Sequence, residues 1–227
     1  MNELLLFSTI IVAFFSLLLM FRLWGRTGIY IWVALASVTA NIEVLKCVDI
    51  FGISTTLGNV VYGSTFLATD ILSQLYGGKE ARRAVKVGFA ALLAFVALTQ
   101  ISLRFIPNAE DYISPVMEQM FSVAPILFLC SLASYLVSNT LDTYLYDWIG
   151  KHTEKIWLRN NLSTFTSQAV DSILIFVLYA VCGVFPWSIV PPMILSCYII
   201  KIIAAVCDTP FVYLAQRMMK NGKVKEI

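Results

Sequence analysis

Seven long apolar runs, separated by short polar or charged segments, restrict what this chain can fold into. To within several residues, they lie at 4–21, 28–46, 56–76, 87–105, 121–148, 162–184 and 188–215. A helix needs about 20 mostly apolar residues to cross a bilayer, so each run has the length of a transmembrane helix. Only 13% of the residues are charged, whereas about a quarter are charged in soluble domains. The sequence predicts an all-α, polytopic membrane helical bundle.

The third run differs from the others because polar residues and glycines interrupt it. It contains Gly58, Asn59, Gly63, Thr69 and Asp70. It is interpreted either as a full crossing or as a re-entrant segment that dips into the membrane and is shielded by protein. The loops are short, and there is no low-complexity segment or strong internal repeat. We expect residues 1–227 to form a single integral membrane domain.

Positive charge is concentrated in alternate connections between the runs. Thirteen of the sixteen Lys and Arg residues lie there: Arg22, Arg26, Lys79, Arg82, Arg83, Lys86, Lys151, Lys155, Arg159, Arg217, Lys220, Lys223 and Lys225. The connection between the fourth and fifth runs instead carries Glu110, Asp111 and Glu118. Because basic residues favour cytoplasmic loops, we expect seven spans in the inner (plasma) membrane, with the N-terminus outside and the C-terminus cytoplasmic.

Charge balance and residue types exclude several classes of protein. A formal net charge of +2 is too balanced for a nucleic-acid-binding protein. The single histidine, His152, and five cysteines without CxxC spacing predict no metal or cofactor, so the cysteines are interpreted as buried thiols. No HExxH, GxSxG or Walker A motif is present, so no enzyme is expected. The first run lacks the features of a cleaved signal peptide and is interpreted as a retained helix.

Polar side chains within the apolar runs are the candidate functional residues. An ionisable group near the middle of a membrane helix costs about 2.5–3.5 kcal/mol on insertion scales, so such groups generally face a partner or a cavity. They come from five runs: Asn41; Asn59, Tyr62, Phe66 and Asp70; Asn139 and Asp142; Gln168 and Asp171; Lys201 and Asp208. Their number favours a central polar cavity and the transport of a small polar molecule.

Structural roles for the same side chains stay open at this stage. Asp70 is also interpretable as a helix cap or as a hydrogen-bond partner between helices. Lys201 needs a counter-charge, which Asp142, Asp171 or Asp208 can supply for stability alone. Topology does not separate these interpretations.

Several motifs, in one order along the chain, resemble the queuosine precursor transporter family. They are Asn41, FLATDILSQLYG at 66–77, ARRAVKVGF at 81–89, Asn139 with Asp142, RNNLSTFTSQAVDS at 159–172, and Lys201 before a Thr-Pro pair. The resemblance covers about 28–216. Members of that family are integral membrane proteins that import 7-deazaguanine bases for queuosine synthesis in transfer RNA. Examples of these bases are 7-cyano-7-deazaguanine, its aminomethyl counterpart and queuine.

The resemblance also implies a fold and partners. Residues 28–216 are expected to form a six-helix transporter core related to the substrate-binding subunits of energy-coupling-factor vitamin transporters. Residues 4–21 are then an extra N-terminal transmembrane helix. The implied partners are the base and membrane lipid, with no cofactor, whereas a homodimer and an energising partner stay open.

A 7-deazaguanine base makes defined demands on its site. Its N–H donors suit a carboxylate, its carbonyl suits an amide or ammonium donor, and its flat ring suits aromatic walls. The candidates are Asp70, Asp142 and Asp171 for the carboxylate, Asn41, Asn139, Gln168 and Lys201 for the donors, and Tyr62 and Phe66 for stacking. We expect Asp171 and Gln168, one helical turn apart, to make the main contact.

Other functions fit the same residues less closely. One alternative is a substrate-binding subunit that imports another flat, vitamin-like nutrient with separate ATPase partners. Another is an intramembrane aspartyl-type enzyme using Asp142 and Asp171, and a pure scaffold would leave the ionisable groups without a role. Without an ATP-binding motif, transport is facilitated, ion-driven or powered by a partner. Asp208, near Lys201, is the candidate for ion coupling.

Overall fold

Helices account for nearly all of the chain in the computed structural model, which describes residues 1–121 and 124–225. The helices are α1 (Asn2–Glu43), α2 (Gly58–Tyr76), α3 (Gly78–Ser102), α4 (Ser114–Phe121), α5 (Ala124–Gly150), α6 (Ile156–Val181) and α7 (Val190–Lys220). Strands β1 (Cys47–Ile50) and β2 (Ile53–Thr56) form a short antiparallel hairpin between α1 and α2. The predicted all-α membrane bundle is confirmed.

Helix α1 consists of two antiparallel segments that turn back on each other at Gly25. Gly25 has φ 55° and ψ −137°, a conformation that glycine adopts far more easily than other residues. The side-chain amide of Asn2 donates to the backbone carbonyl of Asp49 at 2.8 Å, so the start of α1 lies beside the hairpin that follows its end. The first two apolar runs therefore form two spans within one helical element.

The first segment of α1 packs on the bundle rather than standing apart from it. The rings of Phe14 and Phe211 meet edge to face with centroids 5.1 Å apart, which places the segment against α7. Leu17 and Phe21 are fully buried. That residues 4–21 are an addition to a separate six-helix core stays a prediction.

The third apolar run folds as α2, a continuous helix of 19 residues. At about 1.5 Å per residue it is about 28 Å long, close to the roughly 30 Å hydrocarbon core of a bilayer. None of its residues is exposed, because α1, α3, α5 and α7 surround it. Its polar side chains therefore face the interior of the bundle. The unbroken helix matches a full crossing and not a broken re-entrant segment.

Among the described residues, four helical elements are long and apolar enough to cross a membrane. They are Asn2–Glu43, Gly78–Ser102, Ile156–Val181 and Trp187–Lys220. Together with the bundle architecture, they make this a multi-pass membrane protein.

The basic connections meet at one end of the bundle, called here the basic end. The backbone amide of Lys225 donates to the carbonyl of Arg22 at 3.0 Å, which joins the C-terminal tail to the turn within α1. Arg82, at the start of α3, pairs with Asp147 near the end of α5 at 2.9 Å. The strand hairpin and the α6–α7 connection lie at the other end, called here the hairpin end. Which end faces the cytoplasm stays a prediction.

Gly28 tests the tight turn of α1. A Cβ atom there would lie 2.1 Å from the backbone carbonyl oxygen of Met20, and the backbone of neither segment can give way without opening the turn. We expect Gly28→Ala to lower the free energy of unfolding by about 1–3 kcal/mol. The measurement is the thermal unfolding midpoint of the purified protein in detergent.

Gly63→Ala in α2 is the matched control. Its added Cβ would lie 3.7 Å from the Cβ of Ala204, an ordinary contact, and alanine gains about 1 kcal/mol in helix propensity. Its midpoint should be unchanged or higher. Equal midpoints for the two variants would contradict the tight antiparallel turn.

Candidate functional site

A cavity of about 270 Å³ lies between the helices and extends toward the hairpin end. Residues of α1, α2, α5, α6 and α7 line it. Its volume is close to the lower end of the roughly 300–1,000 Å³ that small-molecule sites occupy. The cavity therefore suits one small, compact molecule.

Aromatic side chains form one wall of the cavity. The rings of Phe176 and Tyr179 on α6 meet edge to face at 6.1 Å between centroids, and Tyr179 meets Phe185 at 5.7 Å. Met193 and Cys197, one turn apart on α7, continue the lining toward its floor. Such a wall favours a flat ring, because apolar and π surfaces replace water on its faces.

A buried ion pair forms the floor of the cavity. The ammonium of Lys201 on α7 bonds to Oδ2 of Asp171 on α6, and the two residues are only 3% and 4% exposed. Removing two charges from water is costly, so each charge is tolerated here because the other is present. Of the three counter-charges that the sequence offered to Lys201, the structure uses Asp171.

Hydroxyl groups from two other helices hold Asp171 in place. Its Oδ1 atom accepts hydrogen bonds from Tyr62 of α2 at 2.9 Å and from Ser134 and Ser138 of α5 at 2.7 and 2.9 Å. The Nζ atom of Lys201 also lies 5.4 Å from the centroid of the Tyr62 ring. Because Oδ1 takes the hydroxyl donors, Oδ2 and the ammonium present an acceptor and a donor side by side at the cavity floor.

Two asparagines flank the cavity nearer the hairpin end. Asn41 lies in the lining and donates from its side-chain amide to the carbonyl of Ser37 at 2.8 Å. Asn59 donates to the hydroxyl of Thr55 at 3.1 Å, and its amide oxygen accepts from the thiol of Cys197 at 3.3 Å. Both amides are therefore held in fixed orientations within the lining.

Three other predicted site residues lie beside the floor but outside the lining. Asn139 donates to the Tyr62 hydroxyl at 3.3 Å, and the Phe66 ring contacts the Tyr62 ring at 5.5 Å between centroids. Gln168 is 1% exposed, and its Oε1 atom has no hydrogen-bond donor among the described residues. Asn139 and Phe66 position Tyr62 rather than face the cavity. The sequence predicted direct contact of these three residues with substrate, whereas the lining of the cavity favours contact by Asp171 without Gln168.

The remaining predicted residues, Asp70, Asp142 and Asp208, form a second group called here the carboxyl cluster. All three are at most 1% exposed, and none lines the cavity. They follow Tyr62, Ser138 and Lys201 by eight, four and seven residues along α2, α5 and α7. At about 1.5 Å per residue, the cluster is displaced about 6–12 Å from the floor toward the basic end. The predicted site residues thus form two polar layers in the structure, not the single cavity that the sequence predicted.

Some lining residues were not among the sequence-derived candidates. Ser134 precedes Ser138 by one turn of α5. Phe176 and Tyr179 are three residues apart and lie on one face of α6. Extending the polar face of α5 by one turn toward the hairpin end would have found Ser134, whereas the two aromatic residues do not continue the polar face of Asp171.

Comparison with known proteins agrees with this architecture. Residues 56–215 match the family model described as "Putative vitamin uptake transporter". The chain is 37% identical over 216 residues to the "Probable queuosine precursor transporter" of Bacillus subtilis (strain 168), an alignment that covers 94% of each chain. No solved structure matches significantly.

The buried ion pair makes a prediction about stability. Lys201→Met leaves the Asp171 carboxylate buried without its counter-charge, which typically costs about 3–5 kcal/mol. We expect its thermal unfolding midpoint to fall by several degrees. The double variant Asp171→Leu with Lys201→Met should recover most of that loss, because neither charge is then buried alone. A double variant no more stable than Lys201→Met would contradict the pairing.

Proposed function

Because this chain belongs to the family of vitamin uptake and queuosine precursor transporters, we propose that it imports a 7-deazaguanine base across the cell membrane. The family membership confirms the resemblance that the sequence motifs indicated, and the family model and the relative are both described as transporters. The relative's name supports a queuosine precursor as the cargo. The candidates are 7-cyano-7-deazaguanine, its aminomethyl counterpart and queuine, which serve queuosine synthesis in transfer RNA.

The observation that carries the proposal is the ion pair at the cavity floor. The six-membered ring of a 7-deazaguanine has an edge on which an N–H donor stands beside a carbonyl acceptor. Oδ2 of Asp171 and the ammonium of Lys201 present the complementary acceptor and donor. Charge-assisted hydrogen bonds of this kind are the strong ones, and hydroxyl donors from α2 and α5 already fix the carboxylate.

The walls suit the rest of the same base. Tyr62, Phe176 and Tyr179 offer aromatic surface to a flat ring. Asn41 provides an amide of fixed orientation in the lining nearer the hairpin end, where it can meet a polar group on the ring. Few polar groups among many apolar ones are typical of a small-molecule site that fixes the orientation of its ligand.

The charge distribution supports an orientation for uptake. We place the basic end in the cytoplasm, since basic loops favour that side, and the N-terminus and hairpin end outside. The cavity extends toward the hairpin end, so the structure corresponds to a state that receives substrate from outside. The carboxyl cluster then lies between the bound base and the cytoplasm.

The structure offers less support for the other functions. Asp171 is engaged by Lys201 and does not pair with Asp142, so an aspartyl protease dyad of these two residues is not formed. A flat vitamin-like nutrient carried with ATPase partners would fill the same cavity, and the name of the relative is what favours a 7-deazaguanine over it.

Uptake of labelled 7-cyano-7-deazaguanine by a bacterial strain unable to make queuosine tests the proposal. Expression of the wild-type protein should restore uptake and queuosine in transfer RNA. We expect Asp171→Asn to reduce affinity about 10- to 100-fold, the value of one lost charge-assisted hydrogen bond. Met193→Trp should abolish uptake by filling the cavity without touching the ion pair.

Gln168→Ala is the matched comparison, since Gln168 lies one turn from Asp171 but outside the cavity lining. Its affinity should change less than about threefold, well below the effect of one hydrogen bond to a charged group. Membrane levels and thermal midpoints of all variants show whether each protein is folded. No uptake by folded wild-type protein, or competition by riboflavin or thiamine but not by the unlabelled base, would refute the proposal.

A further inference from the structure

The carboxyl cluster has a chemistry that base binding does not use. Asp70, Asp142 and Asp208 come from three helices and are at most 1% exposed. They lie one to two turns beyond the cavity floor, outside its lining. Buried carboxyl groups that neither bind the cargo nor form ion pairs call for another explanation.

One face of α6 supplies a hydrogen bond to each carboxyl group. Thr164 donates to Oδ2 of Asp70 at 3.3 Å, and Ser167 donates to Oδ1 of Asp142 at 2.9 Å. On α7, Oδ1 of Asp208 accepts from the amide of Asn160 at 2.5 Å. One oxygen of each carboxyl group therefore has a fixed donor.

The other oxygens of Asp70 and Asp142 have none. Their donors, Thr164 and Ser167, stand one turn apart on the same face of α6, which brings the two carboxyl groups close together. Yet Oδ1 of Asp70 and Oδ2 of Asp142 are buried without a donor among the described residues. Two ionised carboxylates in contact repel, and both atoms are acceptors. A single proton held between them supplies the missing donor to both groups.

The surrounding charges leave the pair without a fixed cation. Besides Asp208, Tyr146 of α5 lies near the pair, since its hydroxyl donates to Gln74, one turn beyond Asp70 on α2, and Arg159 of α6 lies over the Tyr146 ring. The Arg159 guanidinium donates to Gln74 at 3.0 Å and stacks 4.4 Å from the centroid of the Tyr146 ring. No ion pair joins it to the cluster among the described residues.

Basic groups from the other neighbouring helices are also engaged elsewhere. Lys201 of α7 is committed to Asp171. On α3, Arg82 pairs with Asp147, and Arg83 pairs with Glu80, which also accepts from Tyr30 of the second segment of α1. These contacts lie at the basic end. Among the described residues no lysine or arginine forms an ion pair with the carboxyl cluster, so a mobile proton can supply the balancing positive charge.

We propose that Asp70 and Asp142 share a transported proton and that this site couples base import to proton entry. The inference rests on the proposed function, because it assumes that the cavity above carries the base. The proton binds the carboxyl pair from the cavity side and leaves as a proton toward the basic end, so no bond in the base changes. Asp208 is the next carboxyl acceptor on that route.

Helix α7 is built to move at this level. Pro210 lies inside the helix, two residues after Asp208. Proline removes one helical hydrogen bond and is a common cause of kinks, so α7 can bend where the cluster must open. Bending there would shift Asp208 and Lys201 on the same helix, which links the proton site to the cavity floor.

Proteoliposomes containing the purified protein and labelled 7-cyano-7-deazaguanine test the coupling. With the membrane potential clamped, an acid exterior should drive wild-type accumulation above the external concentration, and a luminal pH dye should report acidification when base is added. An inward sodium gradient at equal pH should drive none. Accumulation with sodium but not with protons would overturn the proposal.

The variants separate coupling from binding. Asp70→Asn and Asp142→Asn should each abolish proton-driven accumulation and luminal acidification, yet keep base binding and base exchange within about threefold of wild type. Asp142→Glu should retain proton drive, which shows that a carboxyl group and not mere packing is needed. Asp147→Asn removes a carboxylate from the same helix outside the cluster and should behave as wild type.

The outcomes distinguish this proposal from the one it rests on. If wild-type protein exchanges the base but the asparagine variants still accumulate it under the pH gradient, only the proposal of the proton site is overturned. If folded wild-type protein neither binds nor exchanges the base, the proposed function is refuted, and the coupling proposal falls with it. Loss of accumulation with exchange retained supports both.

Discussion

The buried pair of Asp171 and Lys201 is the interaction on which the rest of the structure depends. It joins α6 to α7, and the hydroxyl donors on Asp171 bring in α2 and α5. Buried charges are tolerated only with such complete satisfaction, so the four helices must hold these positions. Nearer the hairpin end, larger aromatic side chains keep the helices apart, and the cavity lies between the helices there. The same pair therefore fixes the bundle and prepares a binding edge.

Two polar layers explain why the chain carries more buried polar groups than one small ligand needs. The layer at the floor recognises a base through fixed donors and acceptors, whereas the carboxyl cluster lacks a fixed cation and suits a mobile proton. Tyr62 lies between them, since its hydroxyl reaches Asp171 and it also contacts Phe66 and Asn139, which precede Asp70 and Asp142 by one helical turn. A shift of α2 or α7 would thus be felt in both layers, as the coupling of two ligands requires.

Much of the fold could be predicted from the sequence, but the depth of each side chain in the bundle could not. Apolar length predicts the spans, and the basic connections do meet at one end. The turn in α1 could not be predicted, because the backbone conformation of a single residue, Gly25, takes the place of a loop. The hairpin at 47–56 is too short to give a periodic signal. Periodicity also places Gln168 and Asp171 on one face of α6, yet only helix packing decides that Asp171 lines the cavity. Likewise, Asp142 has the polarity of a ligand-binding residue, and only its neighbours assign it to another layer.

The most direct test of the central claim is an experimental structure of the protein with 7-cyano-7-deazaguanine bound. The account predicts one base in the cavity, with its carbonyl within hydrogen-bonding distance of Lys201 Nζ, its ring N–H on Asp171, and its ring against Tyr62, Phe176 or Tyr179. Density for the base among Asp70, Asp142 and Asp208, or an empty cavity with intact ion pair at saturating base, would contradict it.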